Sequence, residues 1–247
     1  AAAGARRYAP LRDEAVKLFN SLQQLEAERE PAPLMQGVLQ TCLDLPPLVD
    51  EVYCQLVKQT TEPPAPGAQG DLRYWQLLTC MSCTFVPSAP VLRFLRAHLD
   101  RTESRCPSSE MAKYAGFIRA ALGKTRGRQC VPSLEEIVVL ARRQEMVCTV
   151  HCPGAAACRV AFSSHTTAAE VSAGTGIGHR AGALPRARVL RGHRRAPLSP
   201  AQVARELVSR LGLSQSPNLF ALYEQSRLRE QPVGSATLLA DVLTRFE

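Results

Sequence analysis

Apolar residues recur at three- and four-residue steps through the first 143 positions, the period of helices with one buried face. Leu11, Ala15, Leu18, Phe19, Leu22 and Leu25 line the first predicted face, and Leu34, Val38, Leu39 and Cys42 a second. Pro46 and Pro47 start a third helix, carrying Leu48, Val52, Tyr53, Leu56 and Val57, because proline suits a first turn. The run PPAPGAQG at 63–70 reads as a loop. A fourth helix carries Trp75, Leu78 and Cys80 or Met81. Ser88 is the predicted N-cap of a fifth, with Pro90 in its first turn and Val91, Leu92, Leu95 and Leu99 inward. The stripe Met111, Tyr114, Ala115, Ile118 and Leu122 predicts another helix over about 109–122, with Gly123 near its C-cap. Ser133 to Glu136 spells a capping box for a last short helix with Ile137 and Leu140. Amphipathic helices joined by short loops imply a compact bundle.

The pattern changes at Glu145. Residues 146–151 (MVCTVH) and 158–162 (CRVAF) are β-rich and flank a Pro153-Gly154 turn, so they predict a hairpin. Thr166 to Val171 opens a helix with a threonine cap and an early acid. Residues 219–224 (LFALYE) predict a strand, and TLLADVL follows at 237–243. Residues 172–202 break this order. They are rich in Gly, Arg and Pro, lack an apolar period, and read as a disordered insert, either a flexible isoform loop or retained non-coding sequence. Joining Val171 to Val203 restores one amphipathic helix, and Ser199, Pro200 and Gln202 offer a fresh helix start near Pro200.

Composition narrows the class. The chain has 247 residues, room for one large or two small domains, and 45% hydrophobic residues, ordinary for a folded protein. It begins Ala1-Ala2-Ala3 without methionine and is expected to be part of a longer protein. No apolar run nears the roughly 18 residues of a membrane span. The nine cysteines are odd in number and scattered, and Cys42, Cys54 and Cys80 fall inside helical patterns, which suits reduced thiols better than a disulfide framework. Net charge is +8, but residues 172–202 hold six arginines and no acid, so one segment supplies most of it. Basicity alone therefore argues little for nucleic-acid binding.

Specific wording says more. Asp50-Glu51-Val52-Tyr53-Cys54-Gln55-Leu56 with Lys58-Gln59-Thr60, then Tyr74-Trp75-Gln76-Leu77-Leu78, Phe85-Val86-Pro87-Ser88 and Leu92-Arg93-Phe94-Leu95, resembles the myosin tail homology 4 domain. That domain occurs in unconventional myosins, some kinesins and a few adaptors. The following hairpin, helix and strand, ending in LLADVLTRFE, resemble the ubiquitin-like first lobe of a FERM domain. The tandem is that of myosin classes VII, X and XV, and the stretch CTFVPSAPVLRFLRAHL is most similar to class XV. The resemblance covers nearly all of residues 8–171 and 203–247. It implies a mainly α fold. A helical bundle over 1–144 is followed by a small α+β ubiquitin-like FERM first lobe over 145–247, interrupted by the disordered insert 172–202. The second and third lobes, which carry much of the cargo-peptide groove in that family, are not represented.

The implied function is a non-catalytic cargo- and cytoskeleton-binding tail module of an actin-based myosin motor, cytoplasmic and cytoskeleton-associated. The parent would be an actin-activated ATPase, touching actin only through a motor domain outside this chain. The alternative is a motor-less cytoskeletal adaptor, or a regulatory protein of the kinesin-tail or GTPase-activating type. Implied partners are cargo or scaffold peptides and microtubules. Neither a nucleic acid nor a cofactor is expected.

The candidate partner surface is the basic run from Arg93 to Arg128, in which nine Lys and Arg face only Asp100, Glu103 and Glu110. The candidate set is Arg93, Arg96, Lys113, Arg119, Lys124, Arg126 and Arg128. Clustered cations speed encounters with acidic chains and act in a salt-sensitive way. In the resembling family a basic face is associated with microtubules and acidic segments. Other motifs carry less. Cys80-x-x-Cys83 has zinc or redox spacing but lacks a second pair, so structural thiols are expected. His98 lies between Leu95 and Leu99 with no neighbour to make it a base, and is expected at the surface or half-buried. Gly174 to Gly178 and Gly123-Lys124-Thr125 each lack part of the phosphate-loop pattern. Residues 186–195 form a basic patch without the aromatics that stack bases. Trp75 is expected as a core anchor.

Overall fold

Along residues 74–84 almost every side chain is buried, whatever its polarity: Tyr74, Trp75, Leu77, Leu78, Thr79, Cys80, Met81, Ser82, Cys83 and Thr84. A helical stretch buried on nearly every side must sit inside others. A computed structural model shows how, describing residues 2–61, 70–128, 130–151, 157–168, 186–190, 221–225, 230–234 and 236–244. The chain divides into two units, Ala1–Gln144 and Glu145–Glu247. The first holds α1 (Ala2–Leu25), α2 (Pro31–Asp44), α3 (Leu48–Gln59), α4 (Gly70–Thr84), α5 (Ala89–Arg105), α6 (Glu110–Leu122) and α7 (Leu134–Ala141). The buried stretch is the body of α4, which packs against α1, α2, α3, α6 and α7, while α5 packs on α3 and α6.

Burial on nearly every side obliges α4 to satisfy its own hydroxyls. Thr79 donates to the Trp75 carbonyl at 2.9 Å, Ser82 to Thr79 at 2.8 Å and Thr84 to Cys80 at 2.8 Å. Its own Leu77 and Leu78, and around it Leu39, Leu56, Leu95, Leu99, Ile118 and Ile137, have no exposure. Each such side chain contributes about 1.5–3 kcal/mol on burial. The buried Tyr53 hydroxyl donates to the Phe85 carbonyl at 2.8 Å and so joins α3 to the end of α4. The mainly α bundle read from periodicity is the fold observed.

Helix starts follow the sequence with one exception. The side chain of Ser109 accepts from Ala112 N–H, and that of Ser133 from Glu136 N–H, both at 3.1 Å. Ser88 is at the N-cap position of α5, but its side chain makes no cap bond. Its backbone N–H instead donates to Asp50 Oδ1 at 2.8 Å, so a residue of α3 fixes where α5 begins. On α1 the inward stripe is Leu18, Leu22 and Leu25, and Phe19, one residue round the helix, is 41% exposed.

His98 is more deeply placed than the surface or half-buried position expected. It is buried, stacked on Trp75 with ring centroids 5.5 Å apart and planes 13° from parallel. Its Nε2 lies 2.9 Å from Thr60 Oγ1. Thr60 directs its single hydroxyl proton to the Leu56 carbonyl at 2.8 Å, so Oγ1 accepts from His98 Nε2–H. The helical wheel puts His98 beside Leu95 and Leu99, but its partners come from α4 and the end of α3, which local sequence does not reveal.

The second unit holds β1 (Met146–His151), β2 (Ala157–Phe162), β3 (Arg186–Leu190), β4 (Ala221–Gln225), β5 (Glu230–Pro232) and a short helix α8 (Leu239–Thr244). The sheet order is β2-β1-β3-β4-β5. β1 pairs antiparallel with β2, Met146 opposite Phe162, and antiparallel with β3, Val150 opposite Val189. β3 and β4 are parallel, β4 and β5 antiparallel. A bridge from Thr167 to Leu238 ties the segment after β2 to the start of α8. β3 corrects the reading of 172–202 as disordered throughout, since Arg186–Leu190 is a central strand of the sheet. The alternation in RARVL and its β-branched valine are compatible with a strand even in a segment of disorder-like composition. The rest of that segment, the joined helix around Val171 and Val203 and the start near Pro200 lie outside the described residues.

Burial first, and then Arg101, hold the His98 imidazole below its ordinary value of 6.5. The unfolded chain therefore takes up this proton more readily than the fold does. The stabilisation is complete above about 6.5 and is lost as pH falls through the lowered folded value. Thermal unfolding followed by far-UV circular dichroism should show a melting temperature that drops between about pH 7 and pH 5. His98→Gln should flatten that part of the profile.

Candidate functional site

α5 and α6 are consecutive helices joined by a loop of four residues between Arg105 and Glu110, and they form an antiparallel pair. Most of the basic run lies on them. Arg119 of α6 reaches across to Asp100 at 2.5 Å and Glu103 at 2.8 Å on α5. Lys113 pairs with Glu110 at 2.6 Å, and Arg143 reaches the other oxygen of Glu110 at 2.7 Å. The three acids of the run are thus all engaged. Such exposed pairs are worth about 0–1 kcal/mol each, but they remove Lys113 and Arg119 from the unpaired charge of the surface.

Arg128 is a correction to the candidate set. Its side chain has no exposure, and its guanidinium forks onto Glu136, Nη1 to Oε1 at 2.7 Å and Nη2 to Oε2 at 3.1 Å. Arg128 belongs to the interior and cannot present charge to a partner. A count of basic residues along the sequence cannot see this, because the acid lies eight positions away, at the start of α7. Arg93, Arg96, Lys124 and Arg126 are exposed and make no salt bridge to any described residue. Arg101 and Arg105 join them, exposed and equally unpaired among the described residues, although the candidate set omitted both. The signal that could have found them is their helical spacing from Arg93, at eight and twelve residues.

Beyond α7, Arg143 has a positive φ of 55°, uncommon for a side chain of its size. Its guanidinium lies 3.9 Å from the centre of the Tyr114 ring, and the Tyr114 hydroxyl donates to the Ala141 carbonyl at 2.7 Å. These contacts fasten the end of α7 to α6.

The cysteine pair Cys80 and Cys83 lies inside α4. Burial, with help from Glu136, pushes the Cys83 thiol up to about 12, and burial first raises Cys80 as well. Both stay protonated near neutrality, which suits packing rather than nucleophilic or ligand chemistry. Gly123-Lys124-Thr125 closes α6, and the single hydroxyl proton of Thr125 lies between the carbonyls of Ser82 and Ala121, the first of them the nearer. No helix among the described residues is long and apolar enough to cross a membrane.

Residues 35–139, the span from α2 to α7, match the family model of the MyTH4 domain. The chain is also 55% identical, over 97% of its length, to pleckstrin homology domain-containing family H member 3 of Mus musculus, and equally so to that of Homo sapiens. It spans 27% of those proteins, about a quarter of their length. Among solved structures it resembles the MyTH4-FERM MF1 domain of myosin VII from Dictyostelium discoideum. That likeness has a TM-score of 0.72 and 18% identity, covering 96% of this chain and 44% of the other. The C-terminal MyTH4-FERM domain of human myosin 7b, solved with the third PDZ domain of harmonin-a, gives a TM-score of 0.59 at 16% identity, covering 94% of this chain and 42% of that one. At these identities the likeness is one of fold.

Two measurements test the interior of the bundle. Glu136→Ala leaves the Arg128 guanidinium buried without its carboxylate and should cost about 3–5 kcal/mol in urea unfolding. Arg128→Met with Glu136→Leu should recover most of that loss. Thiol labelling of the native protein should reach the exposed Cys54 and Cys106 quickly, and Cys42, Cys80, Cys83 and Cys148 only on unfolding.

Proposed function

We propose that this chain is a cytoskeletal protein-binding module of a motor-less adaptor. In it the MyTH4 domain presents the unpaired cations of α5 and the α6 end to an acidic protein surface. The observation that carries the adaptor reading is the 55% identity across nearly the whole chain to proteins named for a pleckstrin homology domain. The observation that carries the surface is that Asp100, Glu103 and Glu110 are all engaged, which leaves Arg93, Arg96, Arg101, Arg105, Lys124 and Arg126 exposed without a described acid. Six uncompensated cations attract acidic chains over about a Debye length and release them as salt rises.

The second unit is, on this reading, the first lobe of a FERM domain, placed in the cytoplasm at the cytoskeleton with its MyTH4 neighbour. Support comes from the strand-rich sequence after Glu145 and from the fold likeness to MyTH4-FERM structures over 96% of the chain. A second reading, the tail of an unconventional myosin, draws on the same likeness, because those structures come from myosin VII. An upstream P-loop motor encoded in the same transcript would favour it over the adaptor.

Co-sedimentation with microtubules, whose surface is acidic, tests the binding face. Across a salt series the chain should pellet at low salt and be released as salt rises. Arg93→Glu, Arg96→Glu and Arg101→Glu together should abolish pelleting, while Lys113→Gln, which leaves Glu110 held by Arg143, should weaken it little. Equal pelleting of the triple variant and the parent would remove the basic face as a binding surface.

A further inference from the structure

The outer face of α5 carries more than charge. Phe94 is 58% exposed, more than any other large apolar side chain among the described residues. Pro90 and Ala97, four residues before and three after it, are exposed too, and Val86, 48% exposed, lies just ahead of the helix. At 3.6 residues per turn, Pro90, Phe94, Ala97, Arg101 and Arg105 form one stripe, with Arg93 beside it. Leu95, His98 and Leu99 occupy the buried side of the same helix.

Two other helices expose apolar pairs, Val16 and Phe19 on α1 and Leu134 and Val138 on α7. Charge of both signs surrounds those, with Arg12, Asp13, Glu14 and Lys17 near the first and Glu135 and Arg142 near the second. On α5 itself the only acids are Asp100 and Glu103, and Arg119 holds both, while Asp50 of α3 is bonded to the Ser88 N–H at the start of the helix. The stripe from Pro90 to Arg105 is about 22 Å long at 1.5 Å per residue, the length of a four-turn helix.

We propose that this face of α5 docks an acidic, amphipathic helical peptide. The peptide sets a bulky apolar side chain against Phe94 and carboxylates against Arg93, Arg101 and Arg105. The proposal rests on the reading of α5 and α6 as a partner-binding face and adds to it an apolar anchor. Carboxylates alone give attraction that tolerates many sequences. An aromatic anchor fixes the register of the bound helix and supplies selectivity.

The test uses the whole chain and two fluorescein-labelled helical peptides of about sixteen residues and equal negative charge. One carries leucines at i, i+4, i+7 and i+11 on a glutamate-rich background, and the other glutamines at those positions. Fluorescence anisotropy should show the leucine peptide binding about tenfold more tightly. Phe94→Gln, a surface change whose fold circular dichroism can verify, should erase that difference while leaving the glutamine peptide's affinity unchanged. Arg101→Glu with Arg105→Glu should weaken both peptides together. Equal binding of the two peptides by the unaltered chain, or a difference that survives Phe94→Gln, overturns the anchor while the basic face stands. Failure of both peptides to bind at low salt overturns the anchor and the basic face together.

Discussion

Burial of the body of α4, residues 74–84 with only Gln76 half-buried, is the constraint on which the helical unit depends. A buried hydroxyl cannot reach water, so Thr79, Ser82 and Thr84 turn their protons back to carbonyls of their own helix. Once α4 is closed in this way, α1, α2, α3, α6 and α7 can each lay an apolar stripe against it, and α5 closes over α3 and α6. The arrangement sorts the chain into an interior that specifies the fold and an outer pair of helices free to carry charge. Arg128 crosses that division as an interior cation, tolerated because Glu136 meets both arms of its guanidinium.

Much of this was legible in the sequence, and the limits have a common origin. Stripes such as Leu18, Leu22 and Leu25, or Tyr114, Ala115 and Ile118, announce themselves because one helix against one core imposes one period. Serine caps at 109 and 133 are legible because donor and acceptor lie three residues apart. What sequence hides is any partner supplied from elsewhere in the fold. Asp50 holding the start of α5, Arg119 across to Asp100, and His98 between Trp75 and Thr60 are all of this kind. The basic face suffered most, since a linear charge count treats an exposed Arg101 and an enclosed Arg128 alike. β3 was missed for a different reason, a strand-compatible pentapeptide inside a segment whose overall composition argues for disorder.

The residues that carry the resemblance explain why it reaches the domain and leaves the parent open. Tyr53, Trp75, Leu77 and Leu78 are core residues, and Tyr53 ties down the carbonyl of Phe85. Such positions preserve a packing solution and say nothing about what is fused to it. A chain can therefore share its fold with myosin VII structures at 18% identity and most of its residues with proteins named for a pleckstrin homology domain.

Trp75 is the only tryptophan in the chain, and its indole lies face to face with the His98 ring. An imidazolium accepts an electron from excited indole far better than a neutral imidazole does. The intrinsic emission of this protein therefore carries the protonation state of one buried side chain. Without any dye or label, its brightness becomes an optical record of whether the junction of α3, α4 and α5 is intact.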